Sequence, residues 1–358
     1  MDWRFLCKLR ETIPKEFVHT MENQKLGRQT FQPGSPPVII GHGSAAGKKE
    51  TEGPLGRHFD HTSKDDTFGC ETWEKAESAM QQLALDSALK RAGLHTPDLD
   101  LMLAGDLLNQ CIGSGYAART AAVPFFGLYG ACSTMGESLA LATLLLSGGH
   151  GKYAAAVTSS HFCSAERQYR TPLEYGSQRT PTAQWTATAA GAVIVTNDVR
   201  PGPRVARVTV GKVVDKGIKD ANNMGAAMAP AAYETLKAHF EDTGLEPGYY
   251  DLIVTGDLGQ LGHEIVSDFF SKDGVPLSNY NDCGLLLFDR QEQDVHAGAS
   301  GCGCSASVLC GYLLPGLLAG RWNRILFCPT GALHSPTATM QGESIPGICH
   351  AIALEGGK

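Results

Sequence analysis

The chain of 358 residues has no excess of positive charge and no long uninterrupted apolar run. Its 30 Lys and Arg residues are outnumbered by 37 Asp and Glu residues, and the net charge of −7 gives no reason to expect nucleic acid as a partner. No window reaches about eighteen continuous apolar residues, so no membrane-spanning helix is predicted; the best candidate, residues 138–147, is too short. Charges are mixed through residues 1–30, so no secretory signal is expected and any membrane association has to come through a partner.

The sequence also lacks a disulfide framework and a recognisable metal motif. Its 11 cysteines are odd in number and lie in apolar or glycine-rich settings, which favours a reducing compartment. Cys302-Gly-Cys304 has no second matching pair, so no metal site is predicted. The glycine-rich loop from Gly41 to Lys49 does not match a phosphate-binding motif, and no cofactor is predicted.

An internal repeat organises the chain. "GLHTPDLDLMLAGDLLNQ" begins at Gly93 and "GLEPGYYDLIVTGDLGQ" begins at Gly244, and a helical stretch precedes each copy. The repeat predicts an N-terminal half at 36–200 and a C-terminal half at 201–358, preceded by an extension at 1–35. The first twenty residues of that extension read unlike the rest, either as a flexible leader or as the result of start-codon choice.

A second match indicates how the halves are built. Cys132-Ser133 with the following apolar segment corresponds to Cys304-Ser305 with its own, and an insertion around 262–296 accounts for the difference in spacing. Alternating helices and continuous apolar strands favour mostly parallel sheets that are covered on both faces. The helices predicted at 134–147 and 305–319 are apolar all round and have to be buried on every side. Packed between two sheets, they predict an α/β five-layer α-β-α-β-α sandwich.

Cys132 stands immediately before the first of these buried helices. Thr134-x-x-Glu137 has the pattern of a capping box, which predicts Thr134 as the helix N-cap. Free amides and the positive end of the helix dipole then meet at Cys132, which predicts a lowered thiol pKa. Three interpretations stay open: a nucleophile, a contact to an anionic ligand, or an inert core cysteine.

The segment "GACSTMGESLALATLLLSGG" resembles the nucleophile region of the thiolase superfamily, particularly β-ketoacyl-acyl-carrier-protein synthase III. The resemblance implies the five-layer fold, a homodimer, and a Cys–His–Asn site with its nucleophile at Cys132. The family histidine falls on Gly256 and the family asparagine on Cys302, so two of the three catalytic positions depart from the pattern. An active condensing enzyme using Cys132 would need His263 or His334 as an unconventional base, and this acyltransferase is the alternative function.

Four segments point to one branch of this superfamily: "GPLGRHFD", "AGDLLNQ", "YGACST" and the block at 166–192 resemble the stage V sporulation protein AD family. That resemblance implies a protein without catalysis that binds dipicolinic acid (pyridine-2,6-dicarboxylate) and supports its uptake into the forespore during sporulation. It also implies peripheral association with the forespore membrane, through membrane proteins of the same sporulation operon. The ligand is expected free or as its calcium chelate.

A flat aromatic dianion needs donors for two carboxylates and a slot for its ring. Amides at the helix starts, 132–135 and 304–306, are expected to provide donors, and Arg167, Arg170 and Trp185 suit carboxylate pairing and ring stacking. Asp106 is read as a turn cap as well as a candidate ligand contact, because Asp257 repeats it in the other half. The predicted ligand-binding residues are Cys132, Ser133, Met135, Asp106, Asn109, His161, Arg167, Gln184 and Trp185.

Overall fold

The computed structural model describes residues 22–169 and 179–357. The leader at 1–20 and Arg170 lie outside the described residues. The α-helices of the described part are α1 (Lys48–Thr51), α2 (Trp73–Ala92), α3 (Ile112–Ala121), α4 (Thr134–Ser147), α5 (Phe162–Tyr169), α6 (Met224–Thr243), α7 (Gly259–Lys272), α8 (Cys283–Leu287), α9 (Cys302–Val308), α10 (Leu314–Leu318) and α11 (Pro336–Met340). The β-strands are β1 (Gln24–Leu26), β2 (Thr30–Gln32), β3 (Val38–Ala46), β4 (His61–Thr62), β5 (Leu101–Gly105), β6 (Phe125–Gly127), β7 (Tyr153–Ser160), β8 (Trp185–Thr186), β9 (Ala189–Thr196), β10 (Arg204–Thr209), β11 (Leu252–Thr255), β12 (Tyr280–Asp282), β13 (Ala299–Ser300), β14 (Arg324–Cys328), β15 (Thr330–Ala332), β16 (Gly347–Cys349) and β17 (Ala351–Glu355).

The main sheet repeats one topology twice. Its strands run in the order β12-β11-β14-β17-β10-β3-β9-β7-β5-β6, and the two runs meet where β10 pairs with β3. In each run the outer three strands are parallel, and the inner two are antiparallel to their neighbours. Strand β5 in one run occupies the place of β11 in the other, as the sequence repeat indicates. The division into halves at residue 200 stays a prediction.

The expectation of mostly parallel sheets is wrong. One strand in each run, β9 in the first and β17 in the second, is antiparallel to both of its neighbours. Apolar composition does not distinguish the two directions, since strands buried on both faces are equally apolar in either. The strand β9 is buried along its whole length, and β7, which pairs in parallel with β5, is buried at all but its first residue. Strand direction here is set by the connections between elements.

The central helices lie between the two runs of strands. Leu139 of α4 and Leu314 of α10 are fully buried and share one apolar cluster with Val193 of β9 and Phe327 of β14. A π-helical turn, Leu309–Leu313, joins α9 to α10. Burying each such side chain contributes about 1.5–3 kcal/mol, so the middle layer is a major source of stability.

The outer layers are amphipathic helices. On one side, Met80 and Leu85 of α2 pack on strand residues such as Met102. On the other side, Met228 and Leu236 of α6 pack on β11 and β14. This arrangement confirms the predicted thiolase-like α/β fold. Within the described residues no helix combines the length and apolarity needed to cross a bilayer.

The capping box predicted at the start of α4 is wrong. Thr134 is the first residue of the helix, and its hydroxyl donates to the carbonyl of Ala131 at 2.6 Å instead of accepting from an amide of the first turn. A 3₁₀ turn, Ala131–Ser133, leads directly into the helix, so no extended residue is present to act as a cap. Glu137 is left with a buried oxygen, Oε2, that has no hydrogen-bond partner in the described part of the chain.

Candidate functional site

Cys132 lies on the tight turn that enters α4. Ala131, the residue before it, has a φ of 48°, a left-handed conformation that is strained for a residue with a side chain. Only 8% of Cys132 is exposed, and it belongs to a small apolar cluster with Leu107, Ala165 and Cys302. The turn therefore holds the sulfur in an enclosed position between residues of both halves.

The carboxyl group of Asp257 faces this sulfur. Asp257 is fully buried, and it accepts hydrogen bonds from the amide of Gly301 at 2.9 Å and from the hydroxyl of Thr330 at 2.9 Å. The Cys132 thiol lies close enough to interact with it. Burial raises the pKa of Asp257 from 3.8 to about 7, and the nearby Asp282 adds to the effect. Near neutral pH this carboxyl group therefore exists in both its protonated and its ionised form.

The same surroundings decide the ionisation of the thiol. Burial, followed by the charge of Asp257, raises the pKa of Cys132 well above its ordinary value. The predicted lowering of the thiol pKa is therefore wrong, because the amides at the start of α4 do not offset the removal of a thiolate from water. At neutral pH Cys132 is a neutral thiol, which is a poor nucleophile and a weak hydrogen-bond donor.

The start of α9 was the second expected source of free amides, but these amides are bonded to other groups of the protein. Helix α9 begins at Cys302 instead of at 304, so the amide of Cys304 is already bonded to the carbonyl of Gly301 at 3.0 Å. The amide of Gly303 donates to the hydroxyl of Ser160 at 3.1 Å. With Gly301 bonded to Asp257, the start of this helix is occupied by internal partners.

The two repeated aspartates have different roles. Asp106 accepts from the amide of Leu108 at 2.9 Å, so it caps its own turn as the structural interpretation predicts. In the second half the corresponding turn is held by Asp282, which comes from β12 and accepts from the amides of Leu258 and Gly259 at 3.0 Å. Asp257 therefore does not cap this turn, and its carboxyl group lies near the thiol.

A second pair of buried acids lies behind Cys302. Ser114 donates to Asp106 through its hydroxyl at 2.7 Å, and Ser159 donates to Glu77 at 3.0 Å. Burial raises the pKa of both carboxyl groups, and the repulsion between them adds to the shift of Glu77. At least one of the pair is therefore protonated near neutral pH.

The surroundings of Gly256 and Cys302 bear on the two catalytic positions at which the sequence departs from the thiolase pattern. A Cβ atom on Gly256 would lie 2.8 Å from Cα of Pro329, so this position has no room for an imidazole. Cys302 is fully buried, and its thiol donates to the carbonyl of Ser159 at 2.9 Å. The catalytic histidine and asparagine of the superfamily therefore have no equivalents at these two positions.

The two histidines proposed as alternative bases, His263 and His334, have different neighbours. His263 stacks on Tyr280 with ring centroids 4.4 Å apart, in the neighbourhood of Asp282. His334 is 8% exposed, and its ring centroid lies 5.4 Å from that of Tyr169. Burial lowers the pKa of His334, which keeps it neutral, and its Nδ1 has no partner within the described residues. No histidine of the described chain hydrogen-bonds Cys132.

Aromatic groups surround the approach to the thiol. The hydroxyl of Tyr169 donates to the carbonyl of Leu107 at 2.5 Å, and that of Tyr129 lies 2.7 Å from the Tyr169 oxygen. Tyr129 is 43% exposed and directly precedes the turn of Cys132. Tyr129, Tyr169 and His334 are neighbouring rings and form an aromatic rim near Cys132.

Most of the other predicted ligand contacts lie apart from this arrangement. Ser133 donates to the carbonyl of Gly130 at 2.7 Å, and Met135 is part of the central apolar cluster. The Nε2 atom of His161 lies 2.7 Å from the carbonyl oxygen of Asp66. Ser133 and His161 therefore hold the local backbone, and Met135 contributes to the core.

Asn109, Arg167 and Trp185 also have other partners. Asn109 is exposed, and its backbone amide donates to Oε1 of Gln168 at 2.9 Å. Arg167 pairs with Glu74 on α2. Trp185 stacks on Phe162 with ring centroids 4.0 Å apart and an interplanar angle of 9°. Their assignment as ligand contacts stays a prediction that these contacts do not support.

Gln184 does not contact the thiol directly but lies next to the site. Its Nε2 donates to the backbone carbonyl of Asp257 at 2.7 Å and so helps to position that residue.

The sequence interpretation missed Asp257, Tyr129 and Thr330 as site residues. The repetition of the GDL segment favoured a purely structural Asp257, whereas the adjacency of Tyr129 to the cysteine turn was a usable signal. Thr330 follows β14, and nothing in its sequence context points to the thiol.

Comparisons with known proteins agree with the second resemblance. The sequence model of a family described as Stage V sporulation protein AD matches residues 27–355. Stage V sporulation protein AD of Bacillus subtilis (strain 168) is 45% identical over 331 residues, which is 92% of this chain and 97% of that protein.

Solved structures agree with the fold. The 3-oxoacyl-(acyl-carrier-protein) synthase III of Aquifex aeolicus VF5 is 15% identical, with a TM-score of 0.55, and the match covers 89% of this chain and 99% of that one. A variant of OleA from Xanthomonas campestris is 15% identical, with a TM-score of 0.58, and the match covers 89% of this chain and 96% of that one. At these identities the likeness concerns architecture alone.

Proposed function

The chain belongs to the stage V sporulation protein AD family, and on this premise we propose that it binds dipicolinic acid without catalysis and supports its uptake into the forespore. One observation carries the non-catalytic part of the proposal. The thiol at the superfamily's nucleophile position lies near the buried carboxyl group of Asp257, and no histidine of the described residues hydrogen-bonds it. A neutral thiol beside a carboxyl group is suited to contacting a ligand more than to attacking one.

The surroundings of Cys132 suit a flat dicarboxylate. The aromatic rim offers ring surfaces for stacking, and the unpartnered His334 Nδ1 offers a polar contact at its edge, since the tyrosine hydroxyls are bonded to Leu107 and to each other. Leu107 and Cys302 supply apolar walls near the sulfur. Such a combination of apolar walls and few polar groups is typical of small-molecule sites.

The superfamily's acyl chemistry would need a thiolate and a donor for the developing oxyanion. Burial opposes the thiolate, and Gly256 and Cys302 replace the side chains that would serve as base and donor. The alternative function, a condensing acyltransferase, would have to use His334, which has no hydrogen bond to Cys132 in the described structure. Incubation with an acyl-thioester and mass analysis of Cys132 separates the two functions; a stable adduct with turnover would establish the enzyme.

The direct test is an equilibrium titration of the folded protein with sodium dipicolinate at pH 6. Tyr129→Ala removes a half-exposed ring of the aromatic rim and is expected to weaken affinity about tenfold, the scale of one aromatic or polar contact. Tyr233→Ala is the matched control, since Tyr233 is a partly exposed tyrosine of the outer helix α6 that donates to Asp273 at 2.6 Å, and it is expected to bind like the unaltered protein. Absence of binding by the unaltered protein would refute the proposal.

We further propose that the protein meets the forespore membrane through membrane proteins of the same operon, and that calcium enters as the chelate of the ligand. The described residues contain no group of three or more His, Cys, Asp or Glu arranged to hold a metal by themselves. A calcium ion would need about six to eight oxygen ligands, most of which the ligand and water would have to supply.

A further inference from the structure

Asp257 poses an electrostatic problem for the proposed ligand. An ionised carboxylate beside Cys132 would repel a dianion that contacts the same sulfur, and the interaction is strong in an enclosed site of low dielectric constant. Asp257 is fully buried, so water cannot screen that repulsion. The site therefore has to neutralise Asp257 before or during binding.

Within the part of the chain that the structure describes, no cation is in place to do this. The titratable groups that act on or are affected by Asp257 are Cys132 before α4, Asp282 and Cys283 at the start of α8, Cys302 and Cys304 in α9, and Cys349 in β16. All of these are acids or thiols. Among residues 22–169 and 179–357, no arginine, lysine or histidine forms an ion pair or hydrogen bond with Asp257.

We propose that Asp257 is protonated when the ligand is bound, so that this site takes up the dicarboxylate together with one proton. The proposal rests on the proposed function. A protonated Asp257 keeps its hydrogen bonds from Gly301 and Thr330, while its own hydroxyl becomes a donor to a ligand carboxylate. The carboxyl group that repels the dianion in one state thus binds it in the other.

The position of Asp257 in the fold supports a role in binding. Its counterpart Asp106 caps a turn, whereas Asp282 performs that task in the second half and leaves Asp257 directed to the thiol. Gln184 holds the backbone of Asp257 from behind, with a hydrogen bond of 2.7 Å to its carbonyl. Burial already raises the pKa of Asp257 to about 7, so protonation near neutral pH has little cost.

The test is calorimetric titration of the full chain with metal-free sodium dipicolinate between pH 6 and pH 8.5. If only the protonated form binds, the apparent affinity follows the protonated fraction and falls about 30-fold over this range, while the carboxylates of the ligand stay ionised. Asp257→Asn is permanently neutral and keeps a donor, so its affinity is expected to vary less than about threefold. Glu50→Gln, which removes a different buried acid, is the matched control and is expected to follow the unaltered protein.

Each other outcome contradicts the proposal in a distinguishable way. Affinity of the unaltered protein that is independent of pH refutes proton coupling but leaves the proposed function intact. Loss of binding in Asp257→Asn, together with tighter binding of the unaltered protein when calcium is added, would establish a metal bridge in place of the proton. Absence of binding at every pH would refute the proposed function and this inference with it.

A second measurement does not depend on the variant folding. Titrating the unaltered protein in two buffers of different ionisation enthalpy counts the protons taken up on binding. The proposal predicts about one proton at pH 8.5 and close to none at pH 6. No uptake at either pH would overturn it.

Discussion

At Cys132 two electrostatic effects oppose each other. The start of a helix favours a negative charge by about 0.3–1 kcal/mol, up to about 2 kcal/mol in partly buried cases. Removing a charge from water costs several kcal/mol, and here the neighbouring Asp257 adds repulsion. The cost of burial is therefore the larger effect. The Cys132 thiol stays neutral, although its position at the helix start alone would favour the thiolate.

Glu50 permits a prediction for stability at the residue scale. It is fully buried, the amide of Thr188 donates to its Oε1 at 3.0 Å, and burial raises its pKa from 4.5 to about 8. The folded state thus holds a proton more tightly than the unfolded state does. The resulting stabilisation is complete below about pH 4.5 and is lost as the pH rises to about 8.

Glu50→Gln should therefore raise the free energy of unfolding at pH 8.5 by roughly 1–3 kcal/mol and change it much less at pH 5. Chemical denaturation at both pH values measures this, with the exposed Glu52→Gln as the control. Equal effects of Glu50→Gln at the two pH values would mean that Glu50 is not protonated in the folded protein.

At the scale of elements, the sequence was informative about what lies inside the protein. The apolar segments predicted the buried central helices, and the repeat around Gly93 and Gly244 predicted the equivalence of β5 and β11. The start of α4 and the role of Asp257 were not predictable in this way. Both depend on partners that the fold brings from far along the chain, such as Thr330 and Asp282.

The role of Asp282 in holding the loop after β11 can be tested. Its side chain accepts from the hydroxyl of Thr255 and from the amides of Leu258, Gly259 and Gly284, all at 3.0 Å or less. Removing it leaves these buried donors without a partner, so Asp282→Ala should cost about 2–4 kcal/mol of unfolding free energy.

The matched control is Asp220→Ala. Asp220 is an exposed aspartate that accepts from the amide of Asn222 at 2.9 Å, and its loss should cost less than about 1 kcal/mol because water replaces the acceptor. Urea unfolding measures both variants. Similar costs for the two would contradict the assignment of Asp282 as the organiser of this loop.

At the scale of the whole molecule, the sheet ends at β6 with an unusual surface. Phe125 and Phe126 of β6 are 37% and 52% exposed, and β6 is the terminal strand of the described sheet. An unpaired edge with large apolar side chains favours association with another chain. We therefore expect the homodimer that the superfamily resemblance implies to form at this edge.

Phe126→Asp should convert the dimer to a monomer at micromolar concentration, because it places a charge in the apolar contact. Val213→Asp, at a position that is 57% exposed and outside β6, should leave the oligomeric state unchanged. Light scattering after size-exclusion chromatography measures the mass of both. A monomeric unaltered protein, or a dimeric Phe126→Asp, would contradict this interface.

The most direct measurement for the whole account is a crystal structure of the protein soaked with dipicolinate. The account predicts an intact Cys132 thiol with the pyridine ring between it and the aromatic rim, and one ligand carboxylate beside Asp257. A ligand bound elsewhere on the molecule, or an acyl group attached to the sulfur with a histidine within hydrogen-bonding distance, would contradict it.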